Sequence, residues 1–368
     1  MELVNETEFD AGWTTGFARD GRELLIVVLK GTFIFDDEGG ETRVAEEQLP
    51  LIAVDTFTGQ PGSSAVLQEV DFAHHKPACD VLLNGSAHAP RQRAATQVPV
   101  SLAVGQMTKS FDVVGDREWD AAGFLGYRIN SPRPFTTMPI TYDRAFGGVD
   151  KHPKDSTRIA TYSKNPVGVG YYPLADEKDL EGRALPNTQE TGRSVSARDG
   201  SYEPMSFGPI GRNFASRYPF AGTYDQSWLD SKAPFWPDDF DYRYFQAAPL
   251  DQQIPYPSGG EEVFLGNLTL GGSVSWRLPD TRMPFAIVRR NKEPELRQGV
   301  VDTLVIESDL GRFSMTWRMV VPLKRDCFEI AQVIAGRDSV QSMRPSAVAK
   351  PRFRSIDELA RWKKERGR

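Results

Sequence analysis

The chain is expected to be mainly β: a β-sandwich-like body that carries a long loop-rich insertion and is followed by a short C-terminal helix. Three features of the sequence point there. Short segments of β-branched, aliphatic and aromatic residues recur between turn signals. Gly (32) and Pro (26) exceed ordinary usage in a chain of 368 residues, which favours turns and short strands over long helices. Between Ser131 and Ile254 the same Gly and Pro are interleaved with large rings, as in PFTTMPITYDRAFGG and PDDFDYRYFQAAPLDQQ. Disordered segments are poor in aromatics because they bury too little apolar surface to offset chain entropy. This stretch therefore predicts an ordered, packed, loop-rich layer, with Phe146, Trp228, Phe240 and Phe245 largely buried.

The strands follow in order. Leu24–Phe35 is long and apolar, bounded by Asp20-Gly21 and by Asp36 to Gly40. Asp80–Asn84, Val98–Val104 and Lys109–Val114 come next, the last two at hairpin distance. After the insertion come Glu262–Leu265, Val274–Leu278, Phe285–Arg289, Val301–Ile306 and Arg312–Val321. The last two predict a hairpin across Ser308–Gly311. In it Phe313, Met315, Trp317 and Met319 alternate with Ser314, Thr316 and Arg318, so period two gathers the large apolar side chains on one face. Helices are few. Thr223 is the expected N-cap of a helix reaching Ser231. The capping box Ser355–Glu358 starts another that ends near Arg366, with Ile356, Leu359 and Trp362 on one side. The expected parts are residues 1–130, an N-terminal β part; 131–257, the aromatic insertion; 258–335, strands that complete the body; and 336–368, a basic tail. Two separate β domains are the alternative.

Composition narrows the class. Charged residues make up 26% and hydrophobic ones 39%, as in a soluble globular protein. No apolar run approaches the ~18 residues that span a bilayer, so no membrane partner is expected. MELVNETEFDAGW has neither a basic n-region nor an apolar h-region, and the expected location is cytoplasmic. Cys79 and Cys327 are too few for a disulfide scaffold and are expected to be buried thiols. Residues 336–368 hold ten Lys or Arg against four Asp or Glu, net +6, which leaves −12 on the rest of a chain of net −6. That acidic body disfavours nucleic acid as a partner.

Candidate chemistry is sparse. His74 and His75 are adjacent and point apart on an extended chain; His88 and His152 lack a carboxylate at ligand spacing. Asp238, Asp239 and Asp241 resemble the opening of a calcium loop without its Gly or closing Glu, and are better placed to cap a helix around Phe240–Phe245. Glu261 and Glu262 are neighbours that diverge on a strand, and phosphate-binding, dinucleotide and nucleophile-elbow motifs are absent. No catalytic residue, metal or cofactor is assigned, and the chain is not expected to be an enzyme. In Tyr142–Gly148 (YDRAFGG), Asp143, Arg144 and Phe146 are candidates for partner contact; the alternative is an Asp–Arg pair bracing a turn with Gly147 or Gly148 at positive φ. Trp228, Trp236 and Tyr244 are candidate stacking platforms, with plain burial as the alternative. Ile356, Leu359 and Trp362 complete the candidate partner-binding set.

The ordered blocks PFTTMPITYDRAFGG, NPVGVGYY, SFGPIGR, AGTYDQSWL, PDDFDYRYFQAAPLDQQ and GGEEVFLGNL, with GRELLIVVLKGTF and KPACDVLLNGSAHAP before them, resemble a large bacterial family carrying a domain of unknown function. Its members are encoded beside spike-tip proteins of the PAAR and VgrG kinds in type VI secretion clusters. The resemblance spans roughly residues 15–325 and implies an adaptor or chaperone that holds an effector, or its PAAR-like carrier, for loading onto the spike. It supplies no catalytic residues to carry over. A carbohydrate-binding or carbohydrate-active β-sandwich is the alternative, and a structural subunit of the secretion machine a third.

Overall fold

The long strand Glu23–Ile34 organises the body. Ten of its residues, Leu24–Phe33, are buried on both faces, so it must lie inside a sheet that is covered on both sides. The structure, a computed structural model, describes residues 1–36, 40–121, 126–289, 293–324 and 326–336. Among these, Glu23–Ile34 belongs to an 11-stranded sheet. Its main path runs Glu2–Asn5, Ile330–Ala335, Met283–Arg289, Glu295–Glu307, Arg312–Pro322, Glu23–Ile34, Asp10–Phe17. Cys79–His88 joins in parallel on Glu295–Glu307 and carries Thr137–Ile140 and Gln253–Ile254. A second sheet has five strands in the order Thr188–Gln189, Met107–Val114, Gln97–Val104, Glu262–Thr269, Gly272–Arg277.

One apolar cluster fills the space between them, with Leu25, Val27, Phe33 and Trp317 from the large sheet and Val100, Phe111, Leu265 and Trp276 from the small one. Stacked rings tie it together: Phe35 lies on Trp276 at 4.1 Å and Phe9 on Trp317 at 5.3 Å. The protein is thus mainly β, and all nine segments expected as strands are strands. The hairpin across Ser308–Gly311 forms as expected, with a register shift between Val301 and Thr303 and with Gly311 left-handed.

The opposite face of the large sheet is just as buried and is mixed: Leu24, Ile26, Val28 and Leu82 pack there in small apolar clusters beside a group of charged and polar side chains. Thr316 and Arg318 stand on it beside Lys30, Asp80, Asp302 and Thr303. The Arg318 guanidinium grips Asp302 at 2.5 Å and donates to the carbonyls of Asp71 (2.7 Å) and Ala73 (2.9 Å). Lys30 pairs with Asp71, and Lys76 with Asp80, both at 2.8 Å. Asp80 also accepts the N–H groups of Ala247 (2.8 Å) and Ala248 (3.1 Å) and the amide of Gln246 (2.6 Å). These charges fasten the loop layer to the sheet. Buried charges are tolerated only when paired and hydrogen-bonded, and these are.

The loop layer has small cores of its own, one built on Trp119, Phe146, Leu185 and Tyr202. Phe146 and Phe240 are fully buried, whereas Trp228 and Phe245 are only half-buried. The helix expected from Thr223 is Gln226–Ser231, capped by Asp225, whose carboxylate accepts the Trp228 N–H at 2.9 Å. Thr223 is itself held by Asp239. Of the three nearby aspartates only Asp241 caps, on the short turn Tyr242–Phe245; Asp238 pairs with Lys232. Cys79 is buried, but Cys327 is partly exposed. Ser355–Arg366, including Ile356, Leu359 and Trp362, lies outside the described residues. Among the described residues no helix is long and apolar enough to cross a membrane.

Candidate functional site

The first candidate surface is the edge of the large sheet. Among the described residues Asp10–Phe17 pairs only with Glu23–Ile34. The Ala18 N–H bonds to Arg22 O and the Leu323 N–H to Glu23 O, so even-numbered residues of the hairpin bond within it. Odd-numbered residues of Asp10–Phe17 therefore point their N–H and C=O groups outward. The ends of this edge are occupied: Ala11 N–H is held by Asp10 and Phe17 O accepts from Trp236 Nε1 at 2.8 Å. Between them the N–H and C=O groups of Trp13 and the N–H of Thr15 have no partner among the described residues. Ala11–Phe17 contains no charge and no proline, the usual devices that blunt an edge. Trp13 and Phe17 are exposed beside it, at 40% and 39%, and Phe235 packs edge-on against Phe17 at 5.1 Å.

The aromatic candidates from the sequence support this edge. Trp236 stacks on Phe240 at 4.2 Å and donates to the Phe17 carbonyl, so it is a half-buried brace. Trp228 is half-buried and bonds Phe235 O at 2.9 Å. Tyr244 lies under the Arg217 guanidinium, 5.7 Å from its ring. Trp13 and Phe17 escaped the sequence reading because Asp10–Phe17 was not recognised as a strand, although its Trp13, Thr15 and Phe17 alternate.

Behind the edge sits His74, between Phe245 (5.2 Å) and Trp236 (5.3 Å), with Nδ1 buried and unpartnered. It packs so closely on Gly16 that a Cβ there would lie 2.1 Å from Nε2. Burial, reinforced by Arg318, pushes its pKa down to about 4. The folded state thus needs neutral His74, while the unfolded chain takes up the proton near pH 6.5. Its contribution is present above that pH and is lost as pH falls from about 6.5 to about 4. With a discount for partial exposure the loss is about 2 kcal/mol. Urea unfolding at pH 7 and pH 4.5 should show this as a gap between wild type and His74→Gln that narrows on acidification. A gap independent of pH would refute it.

The second candidate is a cleft of about 300 Å³ lined by Arg117, Arg133, Arg144, Asp116, Glu118 and Asn187 among others. Asp143 and Arg144 sit on the short turn Tyr142–Arg144 and do not pair with each other. Asp143 turns away to Thr58 Oγ1 (2.6 Å) and Ala65 N (2.8 Å). Arg144 enters the cleft and donates to Asn187 Oδ1 at 2.9 Å, with Asp116 3.9 Å away. Phe146 lies in the core beneath. Gly147 and Gly148 have φ of +150° and +107°, as the turn expectation required. Arg117 is 8% exposed and makes no ion pair among the described residues; its Nη2 donates to Pro186 O and Gln189 Oε1, both at 3.1 Å, while Nε has no acceptor. Burial lowers its pKa.

A larger cleft of about 750 Å³ is lined by Asp36, Glu41, Arg43, His88, Ser308 and Asp309 among others. His88 does meet a carboxylate, Asp309 at 2.8 Å, from the turn Ser308–Leu310 far away in sequence. Ser86 holds the other oxygen at 2.7 Å. Burial alone would raise the Asp309 pKa, but these bonds outweigh it and hold the group below the usual range. Among the described residues no group of three or more His, Cys, Asp or Glu is placed to hold a metal ion.

Comparison with known proteins places the chain. No curated protein and no solved structure matches it. A family model described as an uncharacterized protein conserved in bacteria (DUF2169) matches residues 20–318. The match takes in the five-stranded sheet, most of the large sheet and the arginine cleft, and starts after the edge strand. With most of its length matched, the chain belongs to this bacterial family, DUF2169.

Proposed function

We propose that this protein is a non-enzymatic, cytoplasmic adaptor or chaperone that holds a type VI secretion effector, or its PAAR-like carrier, for loading onto a VgrG-like spike. The ordered sequence blocks supply the secretion context. The observation that carries a binding role is the unprotected edge at Ala11–Phe17, with outward backbone groups flanked by Trp13 and Phe17. An extended segment of a partner can add to such an edge, its backbone giving affinity and its alternate side chains specificity. A second reading, a carbohydrate-active protein, draws on the larger cleft, where Asp36, Glu41 and Asp309 line one space; turnover or binding of an oligosaccharide there would favour it.

Deleting the gene in its native host should lower the level or secretion of the cognate effector while the secretion apparatus still assembles. In a pull-down from native lysate, Thr15→Pro should lose that effector. Pro is tolerated where the N–H faces away from the sheet, so the thermal midpoint should move by less than about 3 °C. Unchanged effector stability and delivery in the deletion would overturn the proposal.

A further inference from the structure

We infer that the cleft around Arg117 and Arg144 is a carboxylate-binding site, which takes an acidic side chain or the C-terminal carboxylate of a partner polypeptide. That the carboxylate belongs to a polypeptide rests on the adaptor reading. The site itself rests on one buried guanidinium, Arg117, that lacks a carboxylate partner among the described residues. A buried guanidinium ordinarily has a carboxylate beside it, because an unpaired buried charge is costly. Among the described residues Arg117 has only the neutral oxygens of Pro186 and Gln189. The three carboxylates around the cleft are already engaged. Asp143 serves Thr58 and Ala65, and Asp116 accepts the Asn187 amide at 3.0 Å. Glu118 faces Asn130 and, at 3.7 Å, Arg133.

The two guanidiniums are anchored on consecutive residues, Arg117 on Pro186 O and Arg144 on Asn187 Oδ1. That segment is fixed in turn: Asn187 N–H donates to Arg144 O at 2.8 Å, and Thr188–Gln189 pairs with Met107–Val114. Anchored guanidiniums lose little entropy when an anion arrives, which favours binding. About 300 Å³ suits a single side chain or chain end. The three carboxylates of the lining nearly offset its three arginines, so a phosphate dianion would gain little Coulomb energy against its larger desolvation cost, which favours a carboxylate monoanion.

The full-length protein can be titrated with N-acetyl-aspartate amide, its asparagine analogue and inorganic phosphate. Binding is read by calorimetry and by protection of Arg117 and Arg144 from phenylglyoxal, located by mass spectrometry. Charge-assisted bonds from one carboxylate predict a Kd in the millimolar range, roughly tenfold or more weaker for the asparagine analogue and for Arg144→Gln. Arg117→Met should also lose binding while the thermal midpoint holds or rises, because an uncompensated buried cation has been removed. A merely structural Arg117 would instead lower the midpoint and leave the titration unchanged. No protection at about 50 mM probe, or tighter binding of phosphate than of the carboxylate, overturns the inference. Failure of this site is distinguishable from failure of the adaptor role. Equal capture of the effector by wild type and Arg144→Gln sinks the site alone. A successful titration beside an unaffected deletion strain sinks the adaptor alone and leaves the carboxylate site standing.

Discussion

Asp80→Ala is expected to cost about 3–5 kcal/mol, a large part of the ~5–15 kcal/mol by which a domain is ordinarily stable. Asp80 is fully buried and its two oxygens serve four donors: the Lys76 ammonium, the Gln246 amide and the N–H groups of Ala247 and Ala248. Alanine would strand three of them and leave the Lys76 ammonium only the Thr303 hydroxyl, at 2.8 Å, so the ammonium is the costliest. Because these donors come from the loop layer, the variant should also be cut by protease near Gln246 under conditions where wild type resists. Urea unfolding measures the first effect, limited proteolysis the second. A loss below ~1 kcal/mol would mean that water replaces the carboxylate cheaply and that the layer is held by other contacts.

Gly147→Ala should be nearly as damaging, about 2–4 kcal/mol. Its φ of +150° disfavours any Cβ, and that Cβ would lie 2.1 Å from the backbone oxygen of Asn165. That oxygen has little freedom to retreat, since it accepts the Gly148 N–H at 2.8 Å while the Asn165 side chain bonds Tyr142 O and Phe146 O. Gly62→Ala is the control: its φ is +81°, yet nothing lies within 4 Å of the added carbon. The control should lose only the ~1 kcal/mol of the backbone preference. Equal losses at the two positions would show that the close approach has no energetic weight.

The elements legible in the sequence are those whose pattern reports burial directly. Arg312–Pro322 announced itself because Phe313, Met315, Trp317 and Met319 alternate. The same alternation could not tell that Thr316 and Arg318 are equally buried, because polar residues matched by distant charges look like a solvated face. Local competition explains the helix cap: Thr223 and Asp225 are both good caps, and Asp239, distant in sequence, takes the former. In the turn that follows Arg144 the positive φ at Gly147 and Gly148 was legible, since double Gly after an aromatic is a local signal. Arg117 was not, because Asp116-Arg117-Glu118 reads as ordinary surface charge. Its burial comes from Pro186 and Gln189, some 70 residues later.

The pairing of distant strands bears on how the chain acquires its shape. Glu2–Asn5 lies in parallel against Ile330–Ala335, with Glu2 opposite Gln332, and Glu23–Ile34 needs Arg312–Pro322 as its neighbour. At ribosomal speeds of ~5–20 residues per second, tens of seconds separate the synthesis of these partners. During that interval Leu24–Leu29 emerges with its sheet unfinished and with an aggregation-prone apolar run exposed. Folding is therefore expected to be largely post-translational and slow, as in other folds of high contact order. A ribosome-stalled chain ending before Arg312 should remain protease-sensitive throughout, and release of the full chain should bring protection to Glu2–Asn5 and Ile330–Ala335 together.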